Sequence, residues 1–276
     1  MRVRSLGWAG FELEHEDASL VIDPLLDPAA LYAAVGDAAA GVRWPDVVAP
    51  SARGTAVAGL VTHLHRDHAD AGALAGALAP DAPVLVPAEP SPDGADAPGL
   101  AAAQRDLDRA HLTLRPTAPW ETATLGPFTV TALPAVDGTG EPQVSWAIEA
   151  GGTRVVHCGD TIFHGSWWHV ARIAGPVDLA LLPVNGATVS FPWRRPASSM
   201  PAVMTPEQAA VAARLLRASR AIPMHFGGFD LDPFYRSIPD AVTRFMAAAE
   251  AERVEASKLG VGETLEIAAP VDRAPA

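Results

Sequence analysis

Apolar positions at the start of the chain come in short runs divided by turn residues. Val3 to Leu6, Phe11 to Glu14 and Leu20 to Ile22 are separated by Gly7 to Gly10 and by Glu16-Asp17-Ala18. Run length and turn chemistry predict a β-meander. Gly59 to Thr62 is apolar and leads into His63, which predicts a buried strand. Residues 69–79 are Ala-rich and predict a helix stopped at Pro80; a strand over Ala82 to Pro87 and a helix over Leu100 to Arg109 follow. Residues 27–55 show weak periodicity, and 88–99 interleave Pro and Gly with Asp and Ser. Both read as surface excursions.

The second half repeats this style. Phe128 to Leu133, Val144 to Glu149, Thr153 to His157 and Val177 to Leu182 have strand character. Residues 185–204 form a Pro- and Ser-rich loop. Thr205-Pro206-Glu207-Gln208 then opens a helix, with Thr at the N-cap, Pro at the first turn and Gln three residues on. That helix is predicted to reach Arg217. Ala221 to Met224 predicts a strand ending at His225, Ile238 to Glu252 an amphipathic helix, and Thr264 to Ile267 a closing strand. The order predicts an α/β fold with helices outside packed sheets. No linker composition interrupts it, so residues 1–270 read as one domain of two similar halves and 271–276 as a frayed tail.

Composition narrows the function classes. The chain has 276 residues, 49% of them hydrophobic, enough apolar material for a sizeable core. A single cysteine, Cys158, excludes an internal disulfide framework and any zinc site built on two cysteines of the chain. Lys+Arg at 20 against Asp+Glu at 32 gives −12, which argues against a nucleic-acid partner. Apolar stretches are too short for a membrane span, and the acidic turn by Glu12 does not read as a signal peptide, so a cytoplasmic location is expected. Oligomeric state is open, a homo-oligomer included.

The chemistry concentrates in Thr62-His63-Leu64-His65-Arg66-Asp67-His68, which holds three of the nine histidines. On a strand, positions i and i+2 face one way, so His63 and His65 can grip one ion. A following turn into a helix would let Asp67 and His68 face a second. Imidazole and carboxylate suit Zn, Mn or Fe. Two further strand ends offer ligands: Asp160 after Val155-Val156-His157-Cys158-Gly159, and His225 after Ile222-Pro223-Met224.

These pieces carry a resemblance. Gly7 to Phe11, Ile22-Asp23-Pro24, Thr62 to His68, Thr131 to Ala135, Cys158 to Thr161, Leu181 to Pro183 and Pro223 to His225 together resemble the metallo-β-lactamase-fold hydrolases. Within them the chain looks most like the branch of ascorbate-6-phosphate lactonase and N-acyl phosphatidylethanolamine-hydrolysing phospholipase D. The resemblance implies a four-layer αβ/βα sandwich of two facing mixed β-sheets, helices outside and metals at one edge. It implies two divalent ions, one held by His63, His65 and a third ligand after Pro134-Ala135, the other by Asp67, His68 and His225, with Asp160 bridging. The third ligand is usually His in that family; here the run leads to Asp137. Either Asp137 ligates, giving a 2-His, 1-carboxylate set that shifts preference toward Mn or Fe(II), or it does not reach and the first site is weak or empty.

The implied activity is hydrolysis of an ester, lactone or phosphodiester in a small, anionic molecule. A bound ion lowers the pKa of its water to about 7, giving hydroxide at neutral pH. Asp67 or Asp160 would orient the nucleophile and take its proton. Trp193, Arg194 and Arg195 suit an anionic group, or belong to a solvated loop with a packed Trp. His164, Trp167 and Trp168 line a pocket mouth or pack on the sheet, and His164 is a candidate general acid. Cys158 reads as a buried inert thiol, His157 as a partner of Asp160, and Asp23 as a support for the ligands. Two alternatives stay open: a metal- or ligand-binding protein without turnover on the same scaffold, and a mononuclear Fe(II) enzyme.

Overall fold

The N-terminal meander is present. β1 (Arg2–Gly7), β2 (Gly10–His15) and β3 (Ala18–Ile22) pair antiparallel in chain order. The protein is seen in a computed structural model that describes residues 1–31, 41–88 and 97–268. A one-turn helix, α1 (Pro28–Leu31), follows β3. β4 (Ala58–Leu60), β5 (Pro83–Pro87) and β6 (Thr113–Thr117) then extend the sheet in parallel, with α2 (Ala71–Ala77) and α3 (Ala97–Arg109) in the crossovers.

A second sheet begins with β7 (Thr122–Leu125), β8 (Phe128–Pro134), β9 (Val144–Ala150) and β10 (Thr153–His157), all antiparallel. After α4 (Trp167–Ala174), β11 (Leu179–Pro183) adds in parallel to β10. β12 (Thr188–Val189) and α5 (Pro206–Leu215) precede β13 (Arg220–Met224), which is parallel to β11. β14 (Tyr235–Arg236) pairs with β12 as a ribbon, α6 (Ala241–Ala251) follows, and β15 (Thr264–Glu266) returns to the free side of β1. The orders are β15-β1-β2-β3-β4-β5-β6 and β13-β11-β10-β9-β8-β7, two mixed sheets packed face to face.

Strand alternation builds the layers. Leu20 and Ile22 pack between the sheets while Val21 faces α2 and α3. Val155, Leu179 and Leu181 likewise turn inward, and Val156, Ala180 and Leu182 turn to α4, α5 and α6. Period-2 patterning thus gives each sheet one face for the sandwich core and one for its helices. Phe11, Phe128 and Trp146 fill the centre, where burying each large side chain is worth about 1.5–3 kcal/mol.

Several boundaries differ from expectation. α2 starts at Ala71 because the Asp70 carboxylate caps Gly72 N and Ala73 N, so residues 61–70 stay outside it. α5 carries the predicted capping box of Thr205 and Gln208 but ends at Leu215. β6 and β7 fall where no strand was predicted: both are edge strands, β7 is a short four-residue alternation of exposed and covered positions, and TLRPT has little apolar pattern. α4 buries Trp167, Val170, Ala171 and Ala174, a helical spacing hidden in an aromatic-rich run. In the excursion 27–55, residues 32–40 lie outside the described ones. The rest is tied down: Val48 N bonds Leu6 O, and the buried Glu12 carboxylate accepts from Ser51 N at 2.8 Å and Ala52 N at 2.7 Å. Residues 89–96 of the predicted loop and the tail 271–276 also lie outside the described residues, while 97–99 are helical.

Candidate metal centre

β4 ends at Leu60, so His63 and His65 stand in the loop beyond it rather than on a strand. Their convergence comes from backbone pinning, not strand alternation. The Thr62 amide donates to Asp23 Oδ1 at 2.8 Å, and the amides of His68 and Ala69 both donate to the His65 carbonyl at 3.0 Å. That turn brings Asp67 and His68 back beside the first two imidazoles. Asp160 leaves β10 through Gly159, whose φ is +60°; a Cβ there would meet the Thr62 Cβ at 2.9 Å. His225 follows β13 with φ 59°, its amide bonded to the Trp8 carbonyl. Left-handed backbone at non-glycine residues such as His225, Trp8 (54°) and Asp23 (42°) costs of order 1–3 kcal/mol each and is typical of functional sites.

Seven predicted residues meet at this edge. His63 Nε2 and His65 Nδ1 are 2.8 Å apart, and Asp137 Oδ2 lies 3.9 Å from each. His68 Nε2 is 3.4 Å from Asp67 Oδ2 and 3.2 Å from Asp160 Oδ1. His225 Nε2 is 2.9 Å from Asp160 Oδ2 and 4.0 Å from Asp67 Oδ2, and His63 Nε2 is 4.0 Å from Asp160 Oδ2. Three groups have all their donor atoms within 4.8 Å: His63, His65 and Asp137; His63, His68 and Asp160; Asp67, His68 and His225. Bonds of about 2.0–2.2 Å at tetrahedral angles put ligand atoms about 3.3–3.6 Å apart, inside this spread.

The donors fit a cation on a second count. His68 Nε2, Asp160 Oδ1 and His225 Nε2 are buried without an aligned hydrogen bond. They crowd one another without aligned hydrogen bonds, and a divalent ion takes lone pairs from all three.

Neighbours set the direction of each ring. Asp23, fully buried, accepts from Thr62 Oγ1 at 2.6 Å and from His68 Nδ1 at 2.8 Å. The Thr62 hydroxyl in turn lies 3.1 Å from His63 Nδ1. One carboxylate therefore holds the far nitrogens of two imidazoles and leaves both Nε2 lone pairs for the centre. Trp8 Nε1 donates to Asp67 Oδ2 at 2.9 Å, and its ring packs on His225 at 3.9 Å between centroids. Asp137 Oδ1 accepts from Thr139 N at 2.6 Å and from the Thr139 hydroxyl, leaving Oδ2 toward the histidines.

Burial, with His68 and His65 adjacent, pushes the His63 imidazole well below its ordinary pKa and keeps it neutral. Burial also opposes a charge on His68, but Asp160, Asp67 and Asp23 outweigh it and hold that imidazole well above. Burial would raise the Asp160 and Asp67 carboxyls; His225 and His68 reverse this for Asp160, and His68 for Asp67, so both stay ionised. Burial dominates at Asp137 and pushes its carboxyl up.

Other predicted residues stand differently. Arg194 is committed to Glu141 at 3.0 Å and to the Thr139 carbonyl, so it braces the Asp137 loop rather than opening to an anion. Arg195 is exposed, and Trp193 stacks on Phe191 with 56% exposure. His164 is half-buried against Trp167, its Nδ1 taking the Ser166 amide at 3.1 Å; Trp167 is core and Trp168 exposed. His157 Nε2 bonds the Ala9 carbonyl at 2.8 Å instead of Asp160, because its side chain faces the sandwich core beside Phe11. Burial pushes the Cys158 thiol up. Trp8, Thr139, Asn185 and Tyr235 were not singled out for the site; a Trp between glycines was the available signal for the first. A cavity of about 430 Å³ opens beside Asp137, lined by Pro87, Pro119, Val136, Glu141 and Gln143 among others.

Residues 19–226 match the Beta-lactamase superfamily domain, and the chain belongs to that superfamily. It is 26% identical over 275 residues to a UPF0173 metal-dependent hydrolase of Thermococcus onnurineus, covering 97% of this chain and 100% of the relative. Among solved structures it resembles Igni18, a metallo hydrolase from Ignicoccus hospitalis, with TM-score 0.63, 18% identity and 96% and 97% of the two chains covered. It also resembles CmlA, a diiron β-hydroxylase from Streptomyces venezuelae, with TM-score 0.69, 17% identity, 96% of this chain and 54% of that one. Both structural likenesses carry the fold. Among the described residues no helix is long and apolar enough to cross a membrane.

Proposed function

We propose that the protein is a metal-dependent hydrolase with two adjacent divalent-ion sites. His63, His65 and Asp137 would hold one ion, Asp67, His68 and His225 the other, and Asp160 would lie between them. The observation that carries this reading is the set of buried, unbonded atoms His68 Nε2, Asp160 Oδ1 and His225 Nε2 inside interlocking donor groups. The curated relatives' name supports the same class. Asp137 in place of a third imidazole favours Mn or Fe(II) over Zn at the first site.

When bound, such ions lower the pKa of water to about 7 and polarise the substrate's oxygen. The chain's own part is orientation. Asp67, ionised and fixed by Trp8, and Asp160, ionised between two imidazoles, would aim the attacking water and receive its proton. The cavity beside Asp137 admits a small molecule with an apolar portion. Resemblance to the lactonase and phospholipase D branch directs attention to lactones, esters and phosphodiesters.

Two measurements test this together. Plasma mass spectrometry on untagged, chelator-free protein is expected to give about two equivalents of metal, and about one in Asp137→Ala. Hydrolysis of p-nitrophenyl esters, γ-lactones and bis(p-nitrophenyl) phosphate is expected to depend on added Mn or Zn. Two equivalents with no turnover on any would leave a binding protein. The His63, His65 and Asp137 set favours one second reading, an Fe(II) enzyme. Turnover that requires dioxygen would select it.

A further inference from the structure

β10, β11 and β13 are neighbouring parallel strands, and all three leave the sheet at the metal edge. β10 is followed by Asp160 and β13 by His225. The middle strand, β11, is followed by Asn185, so this residue emerges between the two. Asn185 is fully buried, an expensive place for an amide without a purpose. Its Nδ2 donates to the Tyr235 phenol oxygen at 2.9 Å, and its Oδ1 makes no hydrogen bond among the described residues.

The pair is fixed from both sides. The Asn185 carbonyl accepts from Ile238 N at 2.7 Å, and the next amide, Gly186 N, bonds the Met204 carbonyl. Tyr235 sits on β14, opposite Val189 of β12, and its carbonyl accepts from Leu231 N. The phenol lies in the field of Asp160, Asp67 and Asp137, the carboxylates of the candidate centre. A phenol has an ordinary pKa of about 10, so near pH 7 it is a donor rather than a base. Because Asn185 already donates to its oxygen, the phenol hydrogen is left for another acceptor.

We propose that Tyr235 is a catalytic residue whose O–H, aimed by Asn185, donates a hydrogen bond to the substrate oxygen that gains negative charge as water adds to an ester or lactone carbonyl. The phenol itself gives up no proton. The carbonyl π bond opens onto oxygen as the water oxygen bonds to carbon and the water's proton passes to Asp67 or Asp160; the phenol donates to that oxygen until the π bond re-forms, the C–O bond to the leaving group breaks and the leaving oxygen takes that proton. Asn185 is the positioning residue. The proposal rests on the hydrolase reading above and names the bond class, a carbonyl ester.

The test uses metal-loaded native protein, Tyr235→Phe, Asn185→Ala and the double variant. Substrates are phenyl acetates of graded leaving-group pKa, and the ligand probe is phenyl methylphosphonate, a tetrahedral anion. Y235F is expected to keep its metal equivalents, lower kcat about 10²-fold with KM nearly unchanged, and do so equally across leaving groups. Phosphonate affinity should fall with kcat. N185A should lose less, and the double variant should match Y235F, since both act through one hydroxyl.

Native-like kcat in Y235F overturns the proposal, as does a loss that grows with leaving-group pKa or additive losses in the double variant. So does a loss accounted for by missing metal. In each of those cases native turnover leaves the hydrolase reading standing. Native protein that cleaves bis(p-nitrophenyl) phosphate but no carbonyl ester or lactone sinks this proposal alone, and native protein that cleaves none of them sinks both.

Discussion

Replacing Asp23 by Asn alters no proposed ligand and almost no volume, yet it should weaken both proposed ion sites. Asp23 is fully buried and offers acceptors only: Oδ1 takes the Thr62 amide at 2.8 Å, and Oδ2 takes the Thr62 hydroxyl at 2.6 Å and His68 Nδ1 at 2.8 Å. An amide has one acceptor oxygen for three donors that arrive on both sides. With its nitrogen at the Oδ1 position it faces the Thr62 N–H, which cannot turn away, at about 1–3 kcal/mol. With its nitrogen at the Oδ2 position it reverses the chain of donors. His68 must then carry its proton on Nε2, and the Thr62 hydroxyl must donate to His63 Nδ1, which moves that ring's proton to Nε2 as well. Both lone pairs aimed at the centre are lost. Changes to such supporting groups cost about 10–100-fold in metal affinity, or about 1.4–2.7 kcal/mol per site. Competition against a chromophoric chelator, with metal stoichiometry beside it, reads the effect. Thr62→Val is the control: it cuts only the branch to His63 and should weaken only the ion shared with His65 and Asp137. Dissociation constants in D23N within about twofold of native for both ions would refute the argument.

Two further outcomes follow from protonation. In the metal-free protein His68 is held protonated above its ordinary pKa by Asp160, Asp67 and Asp23, against burial, so metal binding near pH 7 should release about one proton from it. Calorimetry in buffers of different ionisation enthalpy measures this, and a buffer-independent enthalpy would contradict it. Away from the centre, burial would raise the Glu12 carboxyl, but Ser51, Ala52 and Arg4 outweigh it and hold it below 4.5. A depressed carboxyl stabilises the fold above its unfolded pKa, and that contribution is lost as pH falls through the folded value. Glu12→Gln should therefore cost about 1.5–3 kcal/mol in urea unfolding at pH 7, with the gap to native narrowing in acid. A gap that holds or widens at low pH would be inconsistent with this account.

The layers and most strands were legible because they follow from local pattern. Leu20-Val21-Ile22 alternates between core and helix face, and Thr205-Pro206-Glu207-Gln208 carries its own capping chemistry. β6 and α4 were not legible in the same way: TLRPT has no clear period, and the run from Trp167 to Ala174 hides its helical stripe among aromatics. The sequence alone also determined which side chains could bind a cation, since His63, His65, Asp67 and His68 lie within six residues.

Tertiary structure decided how those side chains are aimed. His63 and His65 converge in a loop because Asp23, from another strand, holds Thr62 and His68. Arg194 turns to Glu141 and the Thr139 carbonyl, and His157 to Ala9, instead of to ligand or Asp160. Asn185 and Tyr235 are fifty positions apart and meet only because β14 pairs with β12, which follows Asn185 closely in the chain. Periodicity records which face a residue presents to its own sheet. Hydrogen-bond partners far along the chain are fixed by packing two sheets together, and no local pattern encodes them.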